Sequence, residues 1–136
     1  MLSDYAANHN KRQKFMGVPK TIDNDLPLTD HTPGYGSAAK YIATSMKELI
    51  RDNESFGASK PTVCIVEIMG RHAGWLTAAS ALSKDADCDG PDLIYLPEVV
   101  FDVNKFMEKV KELAQTKSSV VIAVSEGVKV ADGRFV

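Results

Sequence analysis

Apolar residues recur along the chain in two alternating patterns. Short, almost continuous apolar runs predict buried strands over 15–18, 63–69, 93–96 and 119–124. Between them, apolar residues spaced three or four positions apart predict amphipathic helices over 35–51, 75–83 and 103–114, and a shorter helix precedes them over 2–10. This alternation predicts an α/β fold: a Rossmann-like, three-layer αβα arrangement with a mainly parallel sheet of about four strands.

The same pattern predicts which residues are buried. The run over 63–69 is almost wholly apolar, so we expect this strand to be covered on both faces, with Cys64 as a small buried side chain. Trp75 lies on an alanine-rich helix, and we expect it in the core. The stretch 53–61 is expected to be a break between a helix and a strand.

In a parallel sheet of this kind, ligands bind beyond the carboxyl ends of the strands. The segments that follow the predicted strands are therefore the places where chemistry is expected. They are Pro19–Asp25, Met69–Gly74, Pro97–Val99 and Ser125–Gly127.

Composition narrows the classes of function. The chain has 136 residues, of which 44% are hydrophobic and 25% charged, as in one ordinary globular domain. A formal net charge of −2 gives no general attraction to nucleic acid or to an anionic membrane. No apolar stretch approaches the length of a membrane span, and the first residues do not resemble a signal peptide. Cys64 and Cys88 have neither metal-type nor redox-type spacing, so we expect reduced thiols in the cytoplasm.

The segment Lys20–Asp25 combines a lysine with two aspartates, Asp23 and Asp25, directly after a predicted strand. Two carboxylates two residues apart can act as a base and as a partner of a hydroxyl or metal, and the ammonium can hold a phosphate. By composition alone, a solvated acidic turn is the favoured interpretation of this segment, because acidic loops are common. It does not have the central glycine and terminal glutamate of an EF-hand calcium loop.

The segment Met69–Gly74 carries an arginine, Arg71, between two glycines where a strand gives way to a helix. Backbone N–H groups at a helix start favour anions, and a guanidinium can grip phosphate oxygens with two hydrogen bonds. The alternative is a tight turn with a surface arginine. Glu98 and Glu126 each follow a buried strand, a position that only modestly favours a ligand role.

Together these segments resemble the phosphofructokinase family in order and spacing. The segments that carry the resemblance are Pro19–Asp25, Glu67–Arg71, Leu96–Glu98 and Val124–Gly127, and the first two are highly specific to that family. The resemblance extends over nearly the whole chain. It is strongest to the pyrophosphate-using members.

The resemblance implies roles for the Thr21–Asp25 segment in phosphorylating fructose 6-phosphate. Asp23 is expected to be the general base that takes the proton from the sugar 1-hydroxyl, a contribution of about 10²- to 10⁴-fold in rate. Asp25 is expected to hold the same part of the sugar and to help place Mg²⁺. Thr21 is expected to contact the reacting hydroxyl or the phosphate, and Ile22 to belong to the substrate site.

The resemblance also implies roles for residues that follow the other strands. Met69 and Gly70 are expected to hold the sugar through backbone groups, and Glu98 to bind sugar hydroxyls. Arg71 is expected to balance the charge on the transferring phosphoryl group. Lys20 favours pyrophosphate as the phosphoryl donor, because pyrophosphate-using members carry lysine before the threonine. Some ATP-using relatives carry this lysine too, so ATP stays an alternative donor.

The family's upstream glycine-rich donor loop, with the main metal ligands, is expected outside this chain, as are downstream residues that bind the sugar phosphate. The resemblance therefore implies an internal piece with little activity alone. Residues 1–25 are expected to end the donor domain, and residues 26–136 to form part of the fructose 6-phosphate domain. The parent enzyme is expected to be a homodimer or homotetramer. A sugar-phosphate-binding module without catalysis is the rival of another class.

Overall fold

The computed structural model describes residues 1–56 and 59–136; Gly57 and Ala58, within the predicted break, lie outside the described residues. The described part of the chain contains four α-helices and three strands, with a 3₁₀ segment after the third helix. In chain order they are α1 (Leu2–Asn8), α2 (Tyr35–Ser55), β1 (Thr62–Ile68), α3 (Trp75–Ala78) continued by the 3₁₀ segment Ala79–Ser83, β2 (Leu93–Tyr95), α4 (Val103–Thr116) and β3 (Ser119–Ser125).

The sheet is parallel, in the order β1-β3-β2, so the predicted α/β class is confirmed. β3 lies in the centre, and its run from Val120 to Ala123 is almost completely buried. β1 is aligned with β3 from the pair Thr62–Ser119 to the pair Ile68–Ser125. Because both strands run in the same direction and stop together, the segments that follow them begin side by side.

Helices cover the sheet on both faces. Alternate residues of a strand point to opposite faces, and Val121 and Ala123 pack in one cluster with Met46 of α2 and Leu76 of α3. Val120 and Ile122 therefore face the other layer, where α4 packs against β3. Among the described residues, no helix is both long and apolar enough to cross a membrane.

The N-terminus of α4 is held by its capping residue. One carboxylate oxygen of Asp102 accepts hydrogen bonds from the backbone N–H groups of Asn104 (3.0 Å) and Lys105 (3.1 Å). These donors have no partner within a helix, so the cap satisfies groups that would otherwise need water. An aromatic cluster of Tyr95, Phe101 and Phe106 then fastens this end of the helix to β2, with ring centroids 5.0–5.5 Å apart.

Replacing Asp102 with alanine should lower the free energy of unfolding by about 1 kcal/mol, because it leaves two helix N–H groups without their acceptor. Urea denaturation followed by circular dichroism measures this loss. Glu108→Ala, at an exposed position of the same helix, is the matched control and should change stability by less than about 0.5 kcal/mol. Equal effects of the two substitutions would show that the cap contributes nothing specific.

The strand predicted over 15–18 is wrong. Residues 11–20 belong to no helix or strand, and Phe15, Met16 and Val18 are largely exposed. An apolar run becomes a strand only if a neighbouring strand accepts its backbone hydrogen bonds, and no described residue pairs with this segment. The sheet of the described residues therefore has three strands instead of about four.

Two predictions of burial are also wrong. β1 is an edge strand, and Val63 and Ile65 on its outer face are 44% and 56% exposed because α4 leaves that face open; Cys64 on the inner face is half-buried. Trp75 is 56% exposed instead of in the core. The regular α-helix that it begins lasts for one turn, and Leu76 and Thr77 take the buried positions.

Candidate active site

The segments after β1 and β3 are joined by hydrogen bonds at the carboxyl edge of the sheet. The N–H of Glu126 donates to the carbonyl of Ile68 (2.9 Å), which extends the pairing of the two strands by one residue. The hydroxyl of Ser125 donates to the carbonyl of Gly70 (2.7 Å) and accepts from the N–H of Gly127 (3.0 Å). A buried serine thus links the two turns.

Gly70 makes the turn after β1 possible. Its φ of +127° lies in a region that side chains rarely adopt, and a Cβ atom would lie 2.5 Å from the carbonyl oxygen of Ala73. Its N–H donates to Oε1 of Glu126 (3.2 Å). The backbone can therefore reverse within one residue, which leaves Arg71 at the tip of the turn.

Arg71 and Glu126 form an ion pair at this tip. The guanidinium lies 3.5 Å from Oε2 of Glu126, and the two side chains are 60% and 29% exposed. Because Glu126 holds both the N–H of Gly70 and the side chain of Arg71, it orders the whole turn. The sequence placed Glu126 after a strand and within a segment that carries the family resemblance, but it gave this residue no role, because its partners lie more than fifty residues away.

Glu98 is brought to the same edge from β2. Its Oε1 accepts from the N–H of Gly74 (2.7 Å), directly before α3. Gly74 has no room for a side chain, because a Cβ atom would lie 2.6 Å from Oε2 of Glu98 and 2.9 Å from Pro97. The contact ties the segment after β2 to the turn that carries Arg71.

The Thr21–Asp25 segment forms a compact turn. The hydroxyl of Thr21 accepts from the N–H of Asp23 (3.1 Å), and Asn24 follows with a left-handed φ of +59°. Asp23 is half-buried, whereas Asp25 is exposed. Ile22 packs against the core cluster and, with the half-exposed Met69, lines a cavity of about 410 Å³ between α2 and the end of β1.

The surroundings of Asp23 favour the protonated form of its carboxyl. Its Oδ1 is buried, and none of the described residues donates a hydrogen bond to it. Burial raises the pKa of its carboxyl above the usual range, and the negative charges of Asp25 and Glu126 raise that pKa further. The positive charges of Lys20 and His72 oppose this rise. The Thr21–Asp25 segment therefore lies within electrostatic reach of the Arg71–Glu126 turn.

The structure thus gathers most of the predicted positions at one edge. Arg71 and Glu98 follow the ends of β1 and β2 there. Asp23 follows no strand, but it lies within electrostatic reach of Glu126, and Lys20 is exposed beside it. Gly34 directly precedes α2, with a left-handed φ of +90°. The roles of the individual residues stay predictions.

A parallel α/β sheet with acidic and cationic side chains beyond its carboxyl ends is typical of the open-sheet class of proteins, in which ligands bind at that edge. Comparison with known families narrows this class: residues 3–135 match the family described as "Phosphofructokinase". The chain belongs to the phosphofructokinase family.

Individual relatives agree with this assignment. The chain is 49% identical to "Pyrophosphate--fructose 6-phosphate 1-phosphotransferase" of Halomonas elongata, over 87% of the chain and 28% of the relative. It is 40% identical to "ATP-dependent 6-phosphofructokinase 2" of Clostridium perfringens, over 89% of the chain and 31% of the relative. The crystal structure of a pyrophosphate-dependent phosphofructokinase from Nitrosospira multiformis superposes with a TM-score of 0.83 at 41% identity, over 98% of the chain and 34% of that protein. The chain therefore spans about a third of the length of these relatives.

Proposed function

We propose that this chain supplies the acceptor side of an enzyme that transfers a phosphoryl group from pyrophosphate to the 1-hydroxyl of fructose 6-phosphate, giving fructose 1,6-bisphosphate. One observation carries the proposal: the half-buried carboxylate of Asp23, with an unpartnered oxygen and a raised pKa, lies within electrostatic reach of Glu126, which forms an ion pair with Arg71. The similarity to relatives that are named for this reaction supports it.

Asp23 would act as the general base. It would accept the proton of the sugar 1-hydroxyl while that oxygen forms a bond to a phosphorus atom of pyrophosphate, and the bridging P–O bond would break to release phosphate. A carboxylate whose pKa is raised above its usual range is a stronger base than an ordinary aspartate. The buried Oδ1 has no described donor that competes for its lone pairs.

The neighbouring groups would hold the substrate and the developing charge. Arg71 is mostly exposed and is held by Glu126 at 3.5 Å, so its guanidinium can turn toward a phosphoryl group. The N–H of Gly70 is already used by Glu126, so Gly70 would contact the sugar through the second lone pair of its carbonyl. Glu98 would accept from a sugar hydroxyl through Oε2, because Oε1 binds the N–H of Gly74. Met69 would contribute a backbone group.

Within the Thr21–Asp25 segment, Thr21 would contact the reacting hydroxyl or the phosphate, and Ile22 would form an apolar wall of the substrate site. Asp25 fits the place of a Mg²⁺ ligand in this segment, because its carboxylate is exposed and this ion prefers oxygen ligands. No group of three ligating side chains gathers among the described residues, so the phosphates of the donor and the expected upstream loop would complete the coordination. The ion supplies positive charge to the transferring phosphates.

The proposal includes the division of the chain between two domains. Residues 1–25 would end the donor domain and residues 26–136 would form part of the sugar domain. The exposure of residues 7–20, outside the sheet that carries Arg71 and Glu98, supports this boundary. We also propose that the parent enzyme is a homodimer or homotetramer and that it is located in the cytoplasm, as the family resemblance implies.

The donor is tested by replacing Lys20 with glycine in the full-length polypeptide that carries this sequence. A charged hydrogen bond to a phosphate is worth about 1.5–3 kcal/mol, so kcat/KM for pyrophosphate should fall by about ten- to a hundredfold. The kcat/KM for ATP should change by less than about threefold, because the interaction is specific to the leaving phosphate of pyrophosphate. Formation of fructose 1,6-bisphosphate is the readout for both donors.

Lys60→Gly, at an exposed position of the connection before β1, is the control and should leave both values unchanged. Equal losses with the two donors would refute the role of Lys20. If the wild-type protein uses ATP and not pyrophosphate, the result favours the ATP-dependent alternative. The similarity to the Clostridium perfringens relative supports this alternative. Wild-type protein that binds the sugar phosphate and transfers nothing would favour the non-catalytic module.

A further inference from the structure

Asn24 lies between the proposed base and the second aspartate, in an unusual backbone conformation. Its φ is +59°, in the left-handed region that asparagine tolerates better than most residues. In an extended segment, residues 23 and 25 would point to the same side. The left-handed residue between them breaks this relation, and Asp23 is half-buried whereas Asp25 is exposed.

The side chain of Asn24 holds the loop that follows. Its Oδ1 accepts from the N–H of Thr32 (2.9 Å), and its Nδ2 donates to the carbonyl of Asp30 (3.2 Å). Both ends of the amide are thus engaged, and they close the loop 24–32 on itself. No other residue type of this size offers a donor and an acceptor in the same plane.

Thr32 connects this loop to the helical scaffold. It is only 1% exposed, and its carbonyl accepts from the N–H of Tyr35 (3.2 Å), the first residue of α2. Hydrogen bonds therefore run from the start of α2 through Thr32 to Asn24. The backbone of Asn24 is in turn bonded covalently to that of Asp23, whose N–H is held by the hydroxyl of Thr21.

We propose that Asn24 is a positioning residue for phosphoryl transfer. Its two side-chain hydrogen bonds connect the backbone beside Asp23 to the start of α2 and so limit the movement of the Asp23 carboxylate. In this arrangement Asp23 stays turned into the site while Asp25 faces solvent. The inference rests on the proposed function, in which Asp23 is the base. A base displaced by about 1 Å can lose about a hundredfold in rate even though every group that grips the sugar is still present.

The alternative is that Asn24 only satisfies the turn. The variant Asn24→Gly separates the two roles, because glycine keeps the left-handed backbone and removes both side-chain hydrogen bonds. Asn10→Gly is a matched control: Asn10 also has a left-handed φ, of +50°, and it is exposed near the end of α1.

In the full-length polypeptide, Asn24→Gly should reduce kcat for phosphoryl transfer by about tenfold or more, with KM for fructose 6-phosphate within about threefold of wild type. Asn10→Gly should keep both values. A kcat reduced by less than about threefold overturns the proposal, because the side chain of Asn24 would then have no effect on the position of the base. A KM that rises in step with the loss of kcat also overturns it, because this result indicates a general loss of the site.

Hydrogen exchange in the 136-residue chain tests the hydrogen bonds without reference to activity. The amide of Thr32 should exchange slowly in wild type and in Asn10→Gly, and faster in Asn24→Gly, while the amides of β3 stay protected in all three. A Thr32 amide that is equally protected in Asn24→Gly overturns the inference. If the wild-type protein shows no phosphoryl transfer, the proposed function and the catalytic part of this inference are both refuted. Slow exchange of the Thr32 amide would in that case still establish the hydrogen-bonded loop.

Discussion

Replacing Asp23 with asparagine should reduce turnover of the full-length protein by at least about a hundredfold. The amide has nearly the same shape as the carboxylate, but it cannot accept the proton of the sugar 1-hydroxyl. Steady-state formation of fructose 1,6-bisphosphate from saturating substrates measures the loss. KM for the sugar should change much less, because the groups at Gly70 and Glu98 that we propose to hold it are untouched.

The same substitution should stabilise the fold. The pKa of Asp23 is raised in the folded state, so ionising this carboxyl costs more in the folded chain than in the unfolded one. Above the folded pKa this difference destabilises wild type, and asparagine removes it. The Tm of Asp23→Asn should therefore exceed that of wild type at pH 7. The difference should shrink as the pH falls through the raised folded pKa, and it should vanish below about 4, where the unfolded carboxyl is also protonated.

Asp52→Asn is the control for both measurements, because Asp52 is exposed at the far end of α2. It should leave turnover and Tm unchanged. A loss of turnover of less than about tenfold in Asp23→Asn would argue that Asp23 is not the base. The rival view, a sugar-phosphate-binding module of the same fold, would then gain support. An unchanged Tm would argue against an unfavourably buried carboxylate.

Replacing Gly127 with alanine should lower the free energy of unfolding by about 3 kcal/mol or more. The added Cβ atom would lie 2.0 Å from the carbonyl oxygen of Arg71 and 2.6 Å from its carbonyl carbon. Both atoms are backbone, so no side-chain rotation relieves the overlap. The turns after β1 and β3 would be forced apart at the place where the hydroxyl of Ser125 links them.

Urea denaturation of the 136-residue chain measures this effect. Gly17→Ala is the matched control, because a Cβ atom at Gly17 meets nothing within 4 Å and its φ is not in the left-handed region. The control should change stability by less than about 0.5 kcal/mol. A Gly127→Ala variant that loses less than about 1 kcal/mol would show that the two turns can separate without cost, in contradiction to their close packing.

Several features of the fold could be predicted because their signal is local. Helices α2 and α4 follow from apolar residues at helical spacing, and β3 follows from a short apolar run that is buried on both faces. The position of Arg71 and Glu98 after strands β1 and β2 was enough to expect both residues at one edge of a parallel sheet, whereas the strand predicted before Asp23 does not form. Each of these inferences needs only a window of a few residues and the periodicity of one element.

Other features could not be predicted because they depend on distant partners. The apolar run at 15–18 reads like a strand, but it has no strand beside it among the described residues. The outer face of β1 is open because α4 does not extend over it, and this depends on the width of the sheet. The contacts of Glu126 with the N–H of Gly70 and the guanidinium of Arg71 are visible only in the tertiary structure.

The amino-acid sequence by itself determined the α/β class, the order of most elements and the family, because periodicity and short motifs are properties of neighbouring residues. Only the tertiary structure decided how the motifs act on one another. Burial and the charges of Asp25 and Glu126 raise the pKa of Asp23. The side-chain amide of Asn24 accepts a hydrogen bond from the backbone N–H of Thr32, eight residues later in the chain. Electrostatic and hydrogen-bond energies depend on distance in space, and folding sets that distance independently of separation along the chain.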